Sequence, residues 1–166
     1  MDIKIYRLCE CPEFAETCHH WDETEWPRTP EIEEFFSNHY MEQVQRAESA
    51  YLPQTFLALR DKKPVGMLSL IAKDHPDFLH LYPWVASVYI IPEFRYSRAA
   101  YLLVKNAIEY ARNELKVSRL YTYTHLNASL KRWEFLQTIT DPFNHDEKVG
   151  LYYYDVIQSI DETKRA

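Results

Sequence analysis

The sequence predicts an α/β fold, a mixed and mostly antiparallel sheet flanked by helices. Three observations predict it. Two apolar runs, Thr55 to Arg60 and Pro64 to Lys73, are separated by the turn Asp61-Lys62-Lys63, which is a hairpin pattern. A nearly continuous apolar, β-branched run from Trp84 to Ile91 reads as a strand buried on both faces, and Pro92 ends it. A helix to Leu115 and a further strand pattern, Arg119 to Thr124, follow. Strand, helix and strand in that order make a crossover, the connection that parallel strands need.

The elements follow in order. Ile3, Ile5 and Leu8 roughly alternate with polar residues and predict a first strand. Pro12 opens a helix to about Trp21. A second helix starts at Pro30, with Glu31, Glu33 and Glu34 in its first turn and Ile32, Phe35, Phe36, Tyr40 and Val44 on one stripe. The hairpin comes next. Gly66, early in its second strand, marks a bulge or a close backbone approach. Asp74 to Pro83 is a loop. The long helix runs from about Ser97 with Ala100, Leu103, Val104, Ala107, Ile108, Ala111 and Leu115 on its buried side, and Lys105, Glu109, Arg112 and Glu114 outside. Ala128 to Gln137 reads as a short helix, Thr140 to His145 as a turn, and Val149 to Ile157 as a closing strand. No repeat or linker divides the chain, so residues 1–166 are expected to be one domain.

Composition bounds the function. The chain has 166 residues, 46% hydrophobic and 27% charged, which suits a packed soluble domain rather than a disordered one. The net charge of −6 argues against a nucleic-acid binder. The charge is uneven: Glu10 to Glu34 holds nine acids and one base, whereas Pro92 to Arg132 holds eight bases and three acids. That asymmetry reads either as solvated helix faces or as an acidic site for a cation beside a basic site for a phosphorylated ligand. No apolar run approaches the roughly 20 residues that span a membrane. Met1 to Leu8 has no apolar leader core. Three cysteines, an odd number, fit a reducing cytoplasm better than a disulfide framework. Cys9, Cys11, Cys18, His19 and His20 carry donor atoms, but their spacing matches no common zinc module, so no metal is expected.

The chemistry concentrates at one turn. A buried strand leading into a helix N-terminus converges free N–H groups and the helix dipole, which is a device for binding anions. Here the turn is Pro92-Glu93-Phe94-Arg95-Tyr96-Ser97-Arg98-Ala99-Ala100; its arginines add charge and its alanines allow close approach.

The stretch from Trp84 to Arg95 resembles the strand and pyrophosphate loop of the GNAT (GCN5-related N-acetyltransferase) superfamily. The upstream Pro64-Val65-Gly66 strand, the helix, the strand Arg119 to Thr124 and Trp133-Glu134-Phe135-Leu136 follow in that family's order, so the resemblance covers roughly Leu52 to Ile157. It implies a V-shaped cleft between two central parallel strands. Residues 52–157 would form the cofactor-binding core and residues 1–50 the variable, acceptor side. It further implies transfer of an acetyl group from acetyl-CoA to a primary amine of a small molecule or peptide. Pantetheine would pair with the backbone of Tyr89 and Ile90. The pyrophosphate would sit on Arg95, Tyr96, Ser97, Arg98, Ala99 and Ala100, and Asn127 would touch CoA. A bulge N–H would polarise the thioester carbonyl.

Two positions depart from the family pattern. The loop R/Q-x-x-G-x-G/A has Arg98 where a glycine is usual, which either offers a guanidinium to phosphate or blocks the site. Trp133 stands where a tyrosine often protonates the departing thiolate, and indole is not a practical acid. An alternative is therefore a GNAT-fold binding or regulatory protein that has lost catalysis. His125, near the expected mouth of the cleft, is a candidate acid or base. Ser87 and Tyr89, near the expected bulge, are candidates for proton relay. Glu10, Glu23 and Glu25 are candidates for a cationic acceptor, and the aromatic end Leu151 to Ile157 for a homodimer surface.

Overall fold

The computed structural model describes residues 2–30, 33, 39–45, 51–124, 137–139 and 150–156. The strands are β1 (Lys4–Arg7), β2 (Gln54–Arg60), β3 (Lys63–Ile71), β4 (Trp84–Ile90), β5 (Arg119–Thr124), β6 (Gln137–Ile139) and β7 (Gly150–Asp155). They form one sheet in the order β1-β2-β3-β4-β5-β7-β6. Every pairing is antiparallel except β4 with β5. The helices are α1 (Ala15–Glu25), α2 (His39–Gln45) and α3 (Ala99–Tyr110). The expected α/β architecture is therefore observed, with the crossover through α3.

The sheet separates two cores. On one face α3 buries Ala99, Leu103, Val104, Ala107, Ile108 and Tyr110 against Phe56, Leu68, Leu70, Val85 and Leu120. On the other, Leu8, Cys11, Ala15, Cys18 and Tyr40 pack on Leu57 and Met67. Both faces of β2 and β3 are therefore covered, which is why their apolar runs are continuous.

Local chemistry sets the joints. Asp61 and Lys62 take φ of 50° and 62°, the two left-handed positions of a tight hairpin. Gly66 satisfies both expectations: a bulge separates Ala58↔Gly66 from Leu59↔Pro64, and β4 lies against it. A Cβ there would strike the Ile90 side chain and lie 2.7 Å from the Tyr89 carbonyl oxygen. The α3 stripe continues into a wider π-type turn, Ala111–Leu115, which ends at left-handed Lys116.

Several boundaries differ from expectation. The first helix begins with a 3-10 turn at Pro12–Phe14 and runs on to Glu25. Arg112, read as outward-facing, is half-buried and donates to the Val156 carbonyl at 3.4 Å. Gln137 belongs to β6, not to a helix, because β7 supplies pairing that local sequence does not reveal. Of the second predicted helix, Pro30, Glu33 and α2 are described; Ile32, Phe35 and Phe36 lie outside the described residues, as does the Thr140 to His145 turn. Leu151 and Tyr152 of β7 and Val156 just after it, offered as part of a dimer surface, are buried.

Candidate active site

The site begins where β4 leaves β5. The two strands share one register pair, Trp84↔Tyr121. The Tyr121 amide donates to the Pro83 carbonyl at 3.1 Å, and the Thr122 hydroxyl donates to the Val85 carbonyl at 3.0 Å. Beyond that stitch, no described strand pairs with Ala86 to Ile90 on the β5 side. The uniform burial expected for this strand fails at that point: Trp84, Val85 and Ile90 are buried, while Ala86 to Tyr89 are half-buried. The structure thus has a V whose apex is Trp84, in the middle of a sheet and lined on one side by β4 backbone.

One wall of the V carries a bulge. Between Ser69↔Ala86 and Met67↔Tyr89, β3 supplies Leu68 while β4 supplies both Ser87 and Val88. Ser87 takes φ of 49°, in the left-handed region. The extra residue resets the alternation. Val85, Val88 and Ile90 pack toward α3, whereas Tyr89 packs toward α1 and Ser87 meets α1 itself.

The α1 side of the bulge is polar and aromatic. The Ser87 hydroxyl donates to Asp22 Oδ1 at 3.0 Å. The Asp22 carboxylate is buried, and its Oδ2 is 2.6 Å from the Arg28 guanidinium. The Tyr40 phenol interacts with both Ser87 and Asp22; burial pushes its pKa up, and the Asp22 charge adds to that. Burial, helped by the neighbouring Arg28, pushes His39 below the usual histidine range, against the pull of Asp22 and Glu42. Trp21 and Tyr89 stack with ring centroids 5.3 Å apart. Of the tyrosines on the neighbouring strands, Tyr121 shares this face with Trp84, at 5.8 Å, while Tyr152 and Tyr154 pack with the α3-side core.

The other functional region follows β4 directly. Pro92–Phe94 forms a 3-10 turn, and Arg95 Nε donates back to the Ile90 carbonyl at 3.3 Å. The Ser97 hydroxyl accepts from the Ala99 amide at 3.1 Å, just ahead of the first turn of α3. Arg98 has φ −83° and ψ 4°, an ordinary conformation for which glycine is not required. Its guanidinium lies 5.7 Å from the Tyr101 ring centroid, over an exposed helix face. Tyr96 is fully exposed, and Ala99 is buried where α3 meets the sheet.

Ser87, Tyr89, Ile90 and the loop from Arg95 to Ala100 thus occupy one continuous stretch on the rim of the V. His125, Asn127 and Trp133 lie outside the described residues. Of the three acids offered for a cationic acceptor, Glu10 accepts from the Arg7 amide at 2.7 Å, and Glu23 and Glu25 are exposed. Asp22 is the acid that reaches the bulge, from 65 positions away, and no local pattern marks it. Cys11 and Cys18 are core residues, their thiols raised chiefly by burial, Cys11 to about 12. Among the described residues no group of His, Cys, Asp and Glu is arranged to hold a metal ion. No described helix is long and apolar enough to cross a membrane.

Comparison with known proteins agrees with this geometry. The family model described as "Acetyltransferase (GNAT) family" matches residues 15–138. No curated protein sequence shows a significant match. Among solved structures, a GNAT-family protein from Desulfovibrio desulfuricans is 13% identical with a TM-score of 0.67, covering 93% of this chain and 99% of its own. AAC(6')-Iy, in complex with the bisubstrate analogue CoA-S-monomethyl-acetylneamine, is 14% identical with a TM-score of 0.67, covering 89% and 99%. The spermidine/spermine N-acetyltransferase SpeG from Vibrio cholerae is 14% identical with a TM-score of 0.64, covering 98% and 99%.

Proposed function

This chain belongs to the acetyltransferase (GNAT) family, and we propose that it uses the V between β4 and β5 to transfer an acetyl group from acetyl-CoA to a primary amine. The single observation that carries this reading is the splay of β4 from β5 beside the exposed, arginine-bearing loop that enters α3, which offers backbone and charge to an extended, phosphorylated ligand.

Within this reading residues 52–157 form the cofactor core and residues 1–50 the acceptor side. Tyr89 and Ile90 offer backbone to pantetheine. Arg95, Tyr96, Ser97, Arg98, Ala99 and Ala100 hold the pyrophosphate, with Asn127 as a further CoA contact. The first-turn amides of α3 lack intrahelical acceptors and favour an anion. Acetyl-CoA supplies the activated acetyl group. An amide of the Ser87–Val88 bulge steadies the carbonyl oxygen as the amine attacks. The amine nitrogen bonds to the carbonyl carbon, the carbon–sulfur bond breaks, and the proton leaves through His125 or through a water held near Ser87 and Tyr89. The Ser87 hydroxyl already donates to Asp22, so it presents acceptor lone pairs to a protonated amine or water. Three free cysteines, two of them buried, suit a reducing compartment, and we place the protein in the cytoplasm. Thiol release from acetyl-CoA against a panel of polyamines, amino acids and peptide amines tests the assignment. Amine-dependent release supports it, and CoA binding without turnover on any amine favours a protein that has lost catalysis.

The loop gives a prediction with a definite sign. With its backbone in an ordinary region, Arg98 departs from the family pattern without distorting the helix start. Its guanidinium is exposed and free to swing from Tyr101 to a phosphate. Arg98→Gly is expected to weaken acetyl-CoA binding by about tenfold, the scale of one charge-assisted hydrogen bond, and less so at high salt. Titration calorimetry checks this; tighter binding by the variant would mean that the arginine obstructs the site.

A further inference from the structure

The Asp22 carboxylate is buried, yet it is spent on a residue of the cleft rather than on its own helix. It takes the Ser87 hydroxyl on one oxygen at 3.0 Å and the Arg28 guanidinium on the other at 2.6 Å, while Tyr40 interacts with the same carboxylate. Both of its oxygens are thus engaged by protein partners. What it does is grip Ser87. That serine is the one residue of β4 in the left-handed region, at φ 49°, and non-glycine residues persist there only when their surroundings hold them. The two bulge residues, Ser87 and Val88, face Leu68 on β3, so the tilt of the bulge amides follows from the conformation of Ser87.

We infer that Asp22 is a positioning residue: through its hydrogen bond to Ser87, and braced by Arg28, it locks the β4 bulge in the orientation that receives the acetyl carbonyl. This rests on the functional reading above and deepens it. Helix α1, on the acceptor side, thereby controls an amide on the donor side.

The test needs no knowledge of the acceptor. The bulge meets the acetyl group and not the rest of CoA, so the wild-type protein is expected to bind acetyl-CoA more tightly than free CoA, by about three- to tenfold for one neutral hydrogen bond. Calorimetry with both ligands is then repeated on variants of the full chain. Asp22→Ala is expected to abolish that preference while leaving affinity for free CoA within about twofold, since the CoA contacts are elsewhere. Asp22→Asn retains an acceptor for Ser87 and keeps most of the preference. Adding Ser87→Gly to Asp22→Ala restores it, because glycine takes a left-handed φ unaided. If the alanine variant does not fold, Ser87→Ala removes the same bond, leaves the Asp22–Arg28 pair in place, and is expected to abolish the preference equally.

An unchanged preference in Asp22→Ala or Ser87→Ala overturns the inference. So does a loss that Ser87→Gly fails to restore, or one accompanied by equal loss of CoA binding. Failure of the wild-type protein to bind either ligand overturns the functional reading itself, which separates the two failures.

Discussion

Trp84→Ala is expected to destabilise the protein by about 3–5 kcal/mol, the range for deleting a large aromatic from a core. Trp84 is completely buried, its indole N–H donates to the Leu81 carbonyl at 3.0 Å, and its ring lies 5.8 Å from that of Tyr121. Truncation would open a cavity and leave the Leu81 carbonyl without that donor. The position adds a second effect. Trp84↔Tyr121 is the register pair that joins β4 to β5, so the cavity lies at the apex of the V. At about 2–4 °C per kcal/mol for a chain of this size, the melting midpoint is expected to fall by roughly 6–20 °C. Acetyl-CoA affinity is expected to fall with it, even well below the new midpoint. Trp84→Phe, which keeps most of the volume and loses the indole donor, is expected to cost about 1–2 kcal/mol. Thermal melts of the two variants check the ordering, and equal effects would show that the apex does not depend on packing.

Gly66→Val is expected to be comparably severe for the opposite reason, overpacking. Even the first added carbon would sit 2.7 Å from the Tyr89 carbonyl oxygen and against the Ile90 side chain. Ile90 can rotate, but a backbone carbonyl moves only if β4 moves, and β4 is the wall of the cleft. Gly66→Ala is therefore expected to cost about 1–3 kcal/mol, and the valine more, as inserted atoms in packed regions do. The φ of Gly66 is not left-handed, so the effect is steric and not conformational. Denaturant titration reads the loss of stability, and calorimetry with acetyl-CoA reads the displacement of Tyr89 and Ile90. A stable alanine variant with undiminished binding would contradict the close approach.

The features that were legible in the sequence are those with local causes. The stripe from Ala100 to Ala111 has the helical period, and the run after Pro83 is β-branched and closed by Pro92, so β4, the turn and α3 could be read directly. Gly66 was legible because a lone glycine in a strand has few other uses. The short strand β6 was not, because three residues carry no period and the pairing comes from β7. Asp22 was hidden among nine acids between Glu10 and Glu34, and only the fold brings it to Ser87. Arg98, where the sequence resemblance leads one to expect a glycine, takes an ordinary conformation with φ −83°, which the sequence does not reveal.

The most direct test of the central claim is a calorimetric titration of the folded, wild-type chain with acetyl-CoA. One ligand bound per chain, with affinity that weakens as salt rises, is the expected result for a phosphate seat at the start of α3. Absence of any binding heat up to millimolar acetyl-CoA, with the protein shown to be folded, would contradict it.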